Sequence, residues 1–332
     1  MNVLNLLLRP IIHRLAGKCS MIAPARYPVW WANAGWLTRL AAQVSPVHDP
    51  AIVIFSLPRS GSSWTARMLT FDEQVLYLRE PFTRTSGNHL DRNTEDRFPV
   101  REFDPRKPPQ GYLDAARKAF AGNPAFPKTI LQDPARWTLE DREQKRVLIK
   151  DVNPLAAAWL SDQFQPLIVY LLRHPAAVAL SYQQRGWLGP KLTRSRFRPQ
   201  TLSYFQVDGY QPVSFWEEMG IFQALVQRMA LENLVSHQVL VVRYEKLCAA
   251  PLKEFQSLYE QVGLTWGDPA RDGIRSHTTQ EGVYQIGGDS LHRDSSMMTD
   301  HWKGALSREA KDDLQRGYFA LDPPYYRDQA EW

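Results

Sequence analysis

An α/β domain with a mostly parallel central sheet flanked by helices is the architecture this sequence predicts, on three observations. Short β-type runs alternate with helical patterns along most of the chain, the order produced by crossover connections in a parallel sheet. The runs at 51–57 (AIVIFSL) and 167–172 (LIVYLL) are nearly continuous Ile, Val and Leu, which implies burial on both faces. No repeat and no long linker breaks the alternation, so one domain with insertions is expected.

Strands are expected at 51–57, 75–78, 147–150, 167–172 and 238–242. Helical patterns occupy about 62–71, 111–121, 154–163, 175–185, 213–235, 251–262 and 307–317. Polar, Pro-rich connections at 83–109 and 189–212 read as insertions in a domain spanning 50–332. Within residues 1–49, Leu4, Leu7, Leu8, Ile11, Ile12 and Leu15 recur at helical spacing with Arg9, Arg14 and Lys18 between them, an amphipathic basic helix. Such a helix docks on the body or lies against a membrane surface through residues 1–17; docking is the commoner use of such a face. Trp30, Trp31 and Trp36 are expected in the same packing layer.

With 332 residues, 44% hydrophobic and 23% charged, the chain can bury a sizeable core, and disorder, collagen and coiled coil are excluded. Forty basic against 35 acidic residues give a net charge of +5, which suits anionic ligands without calling for nucleic acid. Cys19 and Cys248 are the only cysteines, too few for a disulfide framework or a multi-cysteine metal site. No His or Asp/Glu ligand cluster stands out either, so no metal is expected. The apolar window Leu4 to Leu8 is cut by Arg9 and Pro10, far short of the roughly 20 residues of a membrane span. Neither a transmembrane helix nor a secretory signal is expected, and the chain reads as cytoplasmic.

The most informative segment is Pro58-Arg59-Ser60-Gly61-Ser62-Ser63-Trp64, directly after the first buried strand and directly before a helix. A helix N-terminus carries unpaired amide groups and partial positive charge, which suits phosphate. Gly61 lets the backbone approach an anion, Ser60, Ser62 and Ser63 offer hydroxyls, and Arg59 adds a permanent charge. The segment lacks both the first glycine and the lysine of an ATP-binding G-x-x-x-x-G-K-[ST] loop. A second candidate anion site is Arg173-His174-Pro175, which ends the strongest strand and opens a helix carrying Ser181. His174, beside Pro175, reads as structural.

Together, in this order, these segments resemble the sulfotransferase family, over roughly residues 50–305. The resemblance implies a P-loop-like three-layer fold that binds 3′-phosphoadenosine 5′-phosphosulfate (PAPS) and releases 3′,5′-ADP. It places Arg59, Ser60, Gly61, Ser62, Ser63 and Trp64 around the 5′-phosphosulfate, with Arg59 in a catalytic role on the bridging oxygen that becomes negative as sulfate leaves. Arg173 and Ser181 would hold the 3′-phosphate, with Trp187 following. Tyr244, in Tyr244-Glu245-Lys246-Leu247, would approach the adenine, while Glu245 suits a helix start. Residues 293–303 resemble the family's nucleotide-closing loop, with Arg293 and Lys303 as contacts, although Arg293-Asp294-Ser295 replaces its usual Arg-Lys-Gly.

Sulfuryl transfer needs an in-line acceptor, relief of charge on the leaving oxygen and a proton acceptor, by analogy with phosphoryl transfer. Glu80, in Tyr77-Leu78-Arg79-Glu80-Pro81-Phe82, is the expected base. Pro81 should force an extended exit that presents Glu80 at the sheet's C-terminal edge. The Glu-Pro pair is closer to carbohydrate and tyrosylprotein sulfotransferases than to the small-phenol type, and His89 is the reserve base. Lys150 should reach the same edge, and the resemblance implies that it stabilises the transferred group, with Asp151 orienting it. Arg185, Lys191, Arg194, Arg196 and Arg198, interleaved with Trp187, Phe197 and Tyr204, suggest either an anionic or glycan acceptor surface or a solvated loop. The expected acceptor is a hydroxyl or amine of a carbohydrate, lipid or small metabolite. Alternatives from other classes are a P-loop-type kinase and a non-catalytic nucleotide-binding protein.

Overall fold

The computed structural model describes residues 8, 10–12, 36–85, 100–139, 141–187, 192–278, 295 and 299–332. Five strands form one sheet: β1 (His48–Phe55), β2 (Val75–Arg79), β3 (Arg146–Asp151), β4 (Leu167–Leu172) and β5 (Val239–Arg243). Their spatial order is β2-β3-β1-β4-β5, and every pairing is parallel. The all-parallel sheet follows from the alternation of runs, since each return to the same edge needs a crossover.

Alternate residues of each strand enter opposite cores, as the two-residue side-chain period demands. Val53, Leu76, Val147, Ile149 and Ile168 pack into one cluster, and Ile52, Ile54, Val75, Leu148 and Val169 into the other. The first cluster is covered by α4 (Gln110–Phe120), α5 (Ala157–Phe164), α6 (Pro175–Gln184) and the long α9 (Phe215–Asn233). The second is covered by α2 (Ser62–Leu69), α10 (Tyr244–Ala249), α11 (Pro251–Val262) and α12 (Asp268–Thr278). Helices on both faces give the expected three layers.

From residue 51 onward the predicted strands and helices are all present, with ends shifted by a few residues, and several shorter elements go beyond them. Helix α1 (Trp36–Val44) precedes β1, and α3 (Pro81–Thr85) follows β2. The 189–212 connection contains two short helices, α7 (Leu192–Arg196) and α8 (Pro199–Tyr204), the second opened by Pro199 at a helix-start position. Helix α13 (Arg308–Phe319) packs against α9 through two glycines. A Cβ on Gly220 would lie 2.6 Å from Tyr318 N, and one on Gly317 2.9 Å from the Glu217 carbonyl carbon, so only glycine permits this crossing.

Ile12 is buried in the first core and Leu8 and Leu40 pack against that core, whereas Ile11 is exposed; residues 1–7, 9 and 13–17 lie outside the described residues. Trp36, expected to be packed, is instead 62% exposed; its helix turns that face outward. Trp30 and Trp31 lie outside the described residues. Among those residues, no helix is long and apolar enough to cross a membrane.

Candidate functional site

The parallel register brings the C-terminal ends of the strands to one edge. Arg79 pairs with Lys150, Phe55 with Asp151 and Tyr170, and Leu172 with Arg243. Ligands of open α/β sheets bind outside this edge, and the predicted site residues leave it from different strands.

Between β1 and α2 the chain makes a tight turn in which Arg59 has φ 70° and Gly61 φ 89°. The Ser60 amide donates to Leu57 O (3.3 Å), and Gly61 opens α2 with no side-chain cap on its first amides. Beneath the turn lies the ring of Tyr244, from the start of α10. A Cβ on Gly61 would come within 2.5 Å of Tyr244 Cδ2 and closer still to Cε2. The glycine is therefore demanded twice, by its backbone angle and by its neighbour. Tyr244 and Trp64 are each 1% exposed, packed edge to face at 5.7 Å. The sequence reading set Trp64 in the cradle and Tyr244 at the adenine. The structure puts both side chains in the floor of the turn, because each is an apolar ring on the α2–α10 layer. Ser60 and Ser62 are also buried, and Ser62 Oγ accepts from Ser56 Oγ at 2.8 Å; Ser63 is half-buried.

Arg173, leaving β4, crosses to this turn. Its Nη1 donates to Arg59 O (2.8 Å), and Arg59 Nε donates to Ser181 Oγ on α6 (3.0 Å). The guanidinium of Arg173 lies 4.8 Å from the centre of the Tyr244 ring. The two predicted anion sites are thus one continuous cluster. Arg59, expected on the 5′ side, bonds the hydroxyl expected on the 3′ side. Arg173 Nε is buried with no hydrogen-bond partner among the described residues. A buried charged donor of this kind suits an anion. Trp187 is 37% exposed and meets Tyr182 edge to face at 5.3 Å.

His174 is structural, as expected. Its Nδ1 accepts from the Ala176 amide (3.2 Å) at the start of α6, and its ring stacks on Trp302 at 4.2 Å. Burial lowers its pKa to about 3, so it stays neutral and takes no proton at physiological pH.

Glu80, Lys150 and Asp151 form the second cluster. The Glu80 carboxylate is largely buried and bonds Lys150 Nζ through Oε1, with Arg79 Nε 4.0 Å away. Glu80 is therefore no surface glutamate. The expected extended exit at Pro81 is corrected: Glu80 has φ 56° and Pro81 starts α3. The overriding contacts come from β3. The Glu80 amide donates to Lys150 O (2.6 Å), and Asp151 Oδ2 accepts from the Phe82 and Thr83 amides at 3.1 and 3.3 Å. Asp151 is buried, and desolvation, then the Glu80 charge, raises its pKa to about 7. Burial also lowers the pKa of Lys150, opposed by the Glu80 charge.

The basic insertion is solvated only in part: Arg185, Arg194 and Tyr204 are exposed, while other members are tied into the fold. Arg194 Nη2 donates to Asp208 O and Tyr210 O, Arg196 is buried, and Arg198 pairs with the buried Glu102 at 2.6 Å. Lys303 lies 3.2 Å from Asp300. Arg293, His89 and Lys191 lie outside the described residues. Among the described residues, no group of three or more His, Cys, Asp or Glu is placed to hold a metal. Sequence reasoning missed the capping role of Asp151 and the two-way bridge of Glu245, whose Oε1 accepts from the His174 amide and Oε2 from Tyr326 OH.

Residues 50–268 match the sulfotransferase family. No curated protein matches the chain. Among solved structures it is similar to the sulfotransferase domain of the Synechococcus PCC 7002 olefin synthase, with 17% identity over 84% of this chain and 97% of that one and a TM-score of 0.46. It is also similar to a mouse sulfotransferase complexed with PAP, with 13% identity over 88% and 91% and a TM-score of 0.39. A Mycobacterium avium sulfotransferase gives 13% identity over 87% and 81%, with a TM-score of 0.43. The family match runs from the first strand through both predicted anion-binding turns to the start of α12, and on it the chain belongs to the sulfotransferase family.

Proposed function

We propose that this enzyme transfers a sulfuryl group to a hydroxyl of a carbohydrate, lipid or small metabolite by in-line displacement, with Glu80 as general base. Family membership makes the chain a sulfotransferase with PAPS as its donor, and sets aside the kinase and the non-catalytic alternatives. PAPS supplies an activated sulfuryl group and departs as 3′,5′-ADP.

The residues present suit that donor. Arg173 carries a buried unpartnered donor, and Gly61 keeps a cradle open that a side chain would fill. Arg59, Arg173 and Ser181 would grip the nucleotide's phosphates, with the α2 amides completing the cradle. Glu80 would take the acceptor's proton as the acceptor oxygen bonds to sulfur and the bond from sulfur to the leaving oxygen breaks. Lys150 holds the Glu80 carboxylate in one orientation, and its charge would offset negative charge that develops on the transferred group.

One observation carries the choice of base: a carboxylate at the C-terminal sheet edge, on a residue of φ 56°, bonded to the lysine of the neighbouring strand. Backbone strain concentrates at sites where geometry matters to function. Arg196 is buried and Arg198 is neutralised by Glu102, which leaves less of the predicted basic patch for an anionic acceptor, so a neutral hydroxyl is the simpler acceptor. We place the enzyme in the cytoplasm on its two cysteines.

The test is Glu80→Gln. Turnover of radiolabelled PAPS against fractionated extracts should fall by roughly 10²–10⁴, with 3′,5′-ADP affinity retained. Full turnover in the variant would put the base elsewhere, and the labelled products of the wild type identify the acceptor.

A further inference from the structure

The C-terminal segment reaches back to the base of the nucleotide cluster. Three of its side chains meet the residues that flank Arg173 and Tyr244. Trp332 packs edge to face on the His174 ring at 4.6 Å, and its Nε1 donates to Tyr326 O at 3.0 Å. Tyr326 OH donates to Glu245 Oε2 (2.7 Å), whose other oxygen accepts the His174 amide (2.8 Å). Glu331 Oε1 lies 2.6 Å from Arg243 Nη2, and the Arg243 guanidinium stacks 4.3 Å from the Tyr326 ring centre.

His174 follows Arg173, and Arg243 and Glu245 bracket Tyr244, so both turns are gripped at their neighbours. Tyr326 is held at φ 55° to make its contacts, and it and Trp332 are buried. These residues lie beyond the 50–268 stretch that matches the family.

From these contacts we infer that Tyr326, Glu331 and Trp332 are positioning residues for the 3′-phosphate: they fix the β4–α6 and β5–α10 turns so that Arg173 points at it. This rests on the proposed nucleotide site. Loosening the clamp should weaken binding most where the 3′-phosphate contributes, because Arg173 and Tyr244 stand on the clamped turns, whereas Arg59 and the α2 amides stand on β1 and in these contacts meet the clamp only through those two residues.

The experiment is calorimetric titration of 3′,5′-ADP and of 5′-AMP, which differ by that phosphate alone, into wild type, Tyr326→Phe, Trp332→Ala and Trp332→Phe. Tyr326→Phe deletes one hydroxyl and keeps the ring, so it guards against a variant that fails to fold. Tyr326→Phe and Trp332→Ala should bind 3′,5′-ADP about tenfold more weakly, the scale of a charge-assisted hydrogen bond. Their affinity for 5′-AMP should fall by clearly less, and Trp332→Phe should recover most of the loss. Equal weakening of both nucleotides, or none in folded Tyr326→Phe, overturns the inference and leaves the nucleotide site standing. Equal affinity of the wild type for the two nucleotides overturns the 3′-phosphate assignment itself, and the inference with it.

Discussion

Gly61→Ala isolates what the cradle requires of its backbone. Two costs follow from the structure. At φ 89° an alanine in the left-handed region costs about 1–2 kcal/mol. Its methyl would also enter the Tyr244 ring, and overpacking of this kind costs about 1–3 kcal/mol. The variant should lose about 2–5 kcal/mol of stability, or the turn should yield and lose 3′,5′-ADP binding instead. Tyr244→Ala separates the two costs. Alone it removes a buried ring, at about 3–5 kcal/mol. In the double variant the methyl occupies the vacated space, so only the backbone strain remains. Urea unfolding of the single and double variants should therefore show a favourable coupling of about 1–3 kcal/mol, with calorimetry following 3′,5′-ADP in parallel. Additivity within about 0.5 kcal/mol would refute the contact as the reason for the glycine.

Arg173→Ala should weaken 3′,5′-ADP by at least about tenfold, and an unchanged calorimetric affinity would remove the residue from the site. Asp151→Asn should change how stability depends on pH. The pKa of Asp151 is raised to about 7 in the folded chain, so the fold binds a proton that the unfolded chain releases from about pH 4 upward. Stability should fall between about pH 4 and 7 in the wild type and fall less in Asp151→Asn, as urea titrations across that range would show. Identical slopes would mean that Asp151 does not carry this linkage. Gly317→Ala should lower the melting temperature, by about 1–3 kcal/mol of overpacking at the α9–α13 crossing, and an unshifted melting curve would contradict the closeness of that crossing.

What the sequence revealed is what local chemistry controls. Buried strands announce themselves by Ile, Val and Leu on both faces, and the Arg59-to-Trp64 and Arg173-to-Ser181 turns by donors placed at helix starts. What stayed hidden depends on partners remote in the chain. Trp64 and Tyr244 looked available to a ligand because aromatic rings serve ligands and cores alike; only their mutual packing sends them to the floor of the turn. Arg194, Arg196 and Arg198 looked like a charged surface until Glu102 and the carbonyls of Asp208 and Tyr210 were brought to them. The grip of Tyr326 and Trp332 on the β4 and β5 turns spans about 80 residues or more of chain, beyond any local pattern.

Glu80 shows how such a remote partner can reverse a sound local rule. Proline disfavours helical conformations in the residue before it, so an extended Glu80 is the default, yet Glu80 sits at φ 56°. A residue in the left-handed region costs of order 1–3 kcal/mol and persists only where its surroundings over-determine it. Here the neighbouring strand does so from both sides of the residue: Lys150 O accepts the Glu80 amide, and the Asp151 carboxylate accepts the next two free amides. Arg59, at φ 70°, is likewise held through its carbonyl by Arg173 from the strand on the other side of β1. The proposed base and the arginine proposed to grip the donor's phosphates are thus aimed by strands other than their own. The spacing between them is therefore set by the register of β1 with β3 and β4 rather than by the flexibility of either turn.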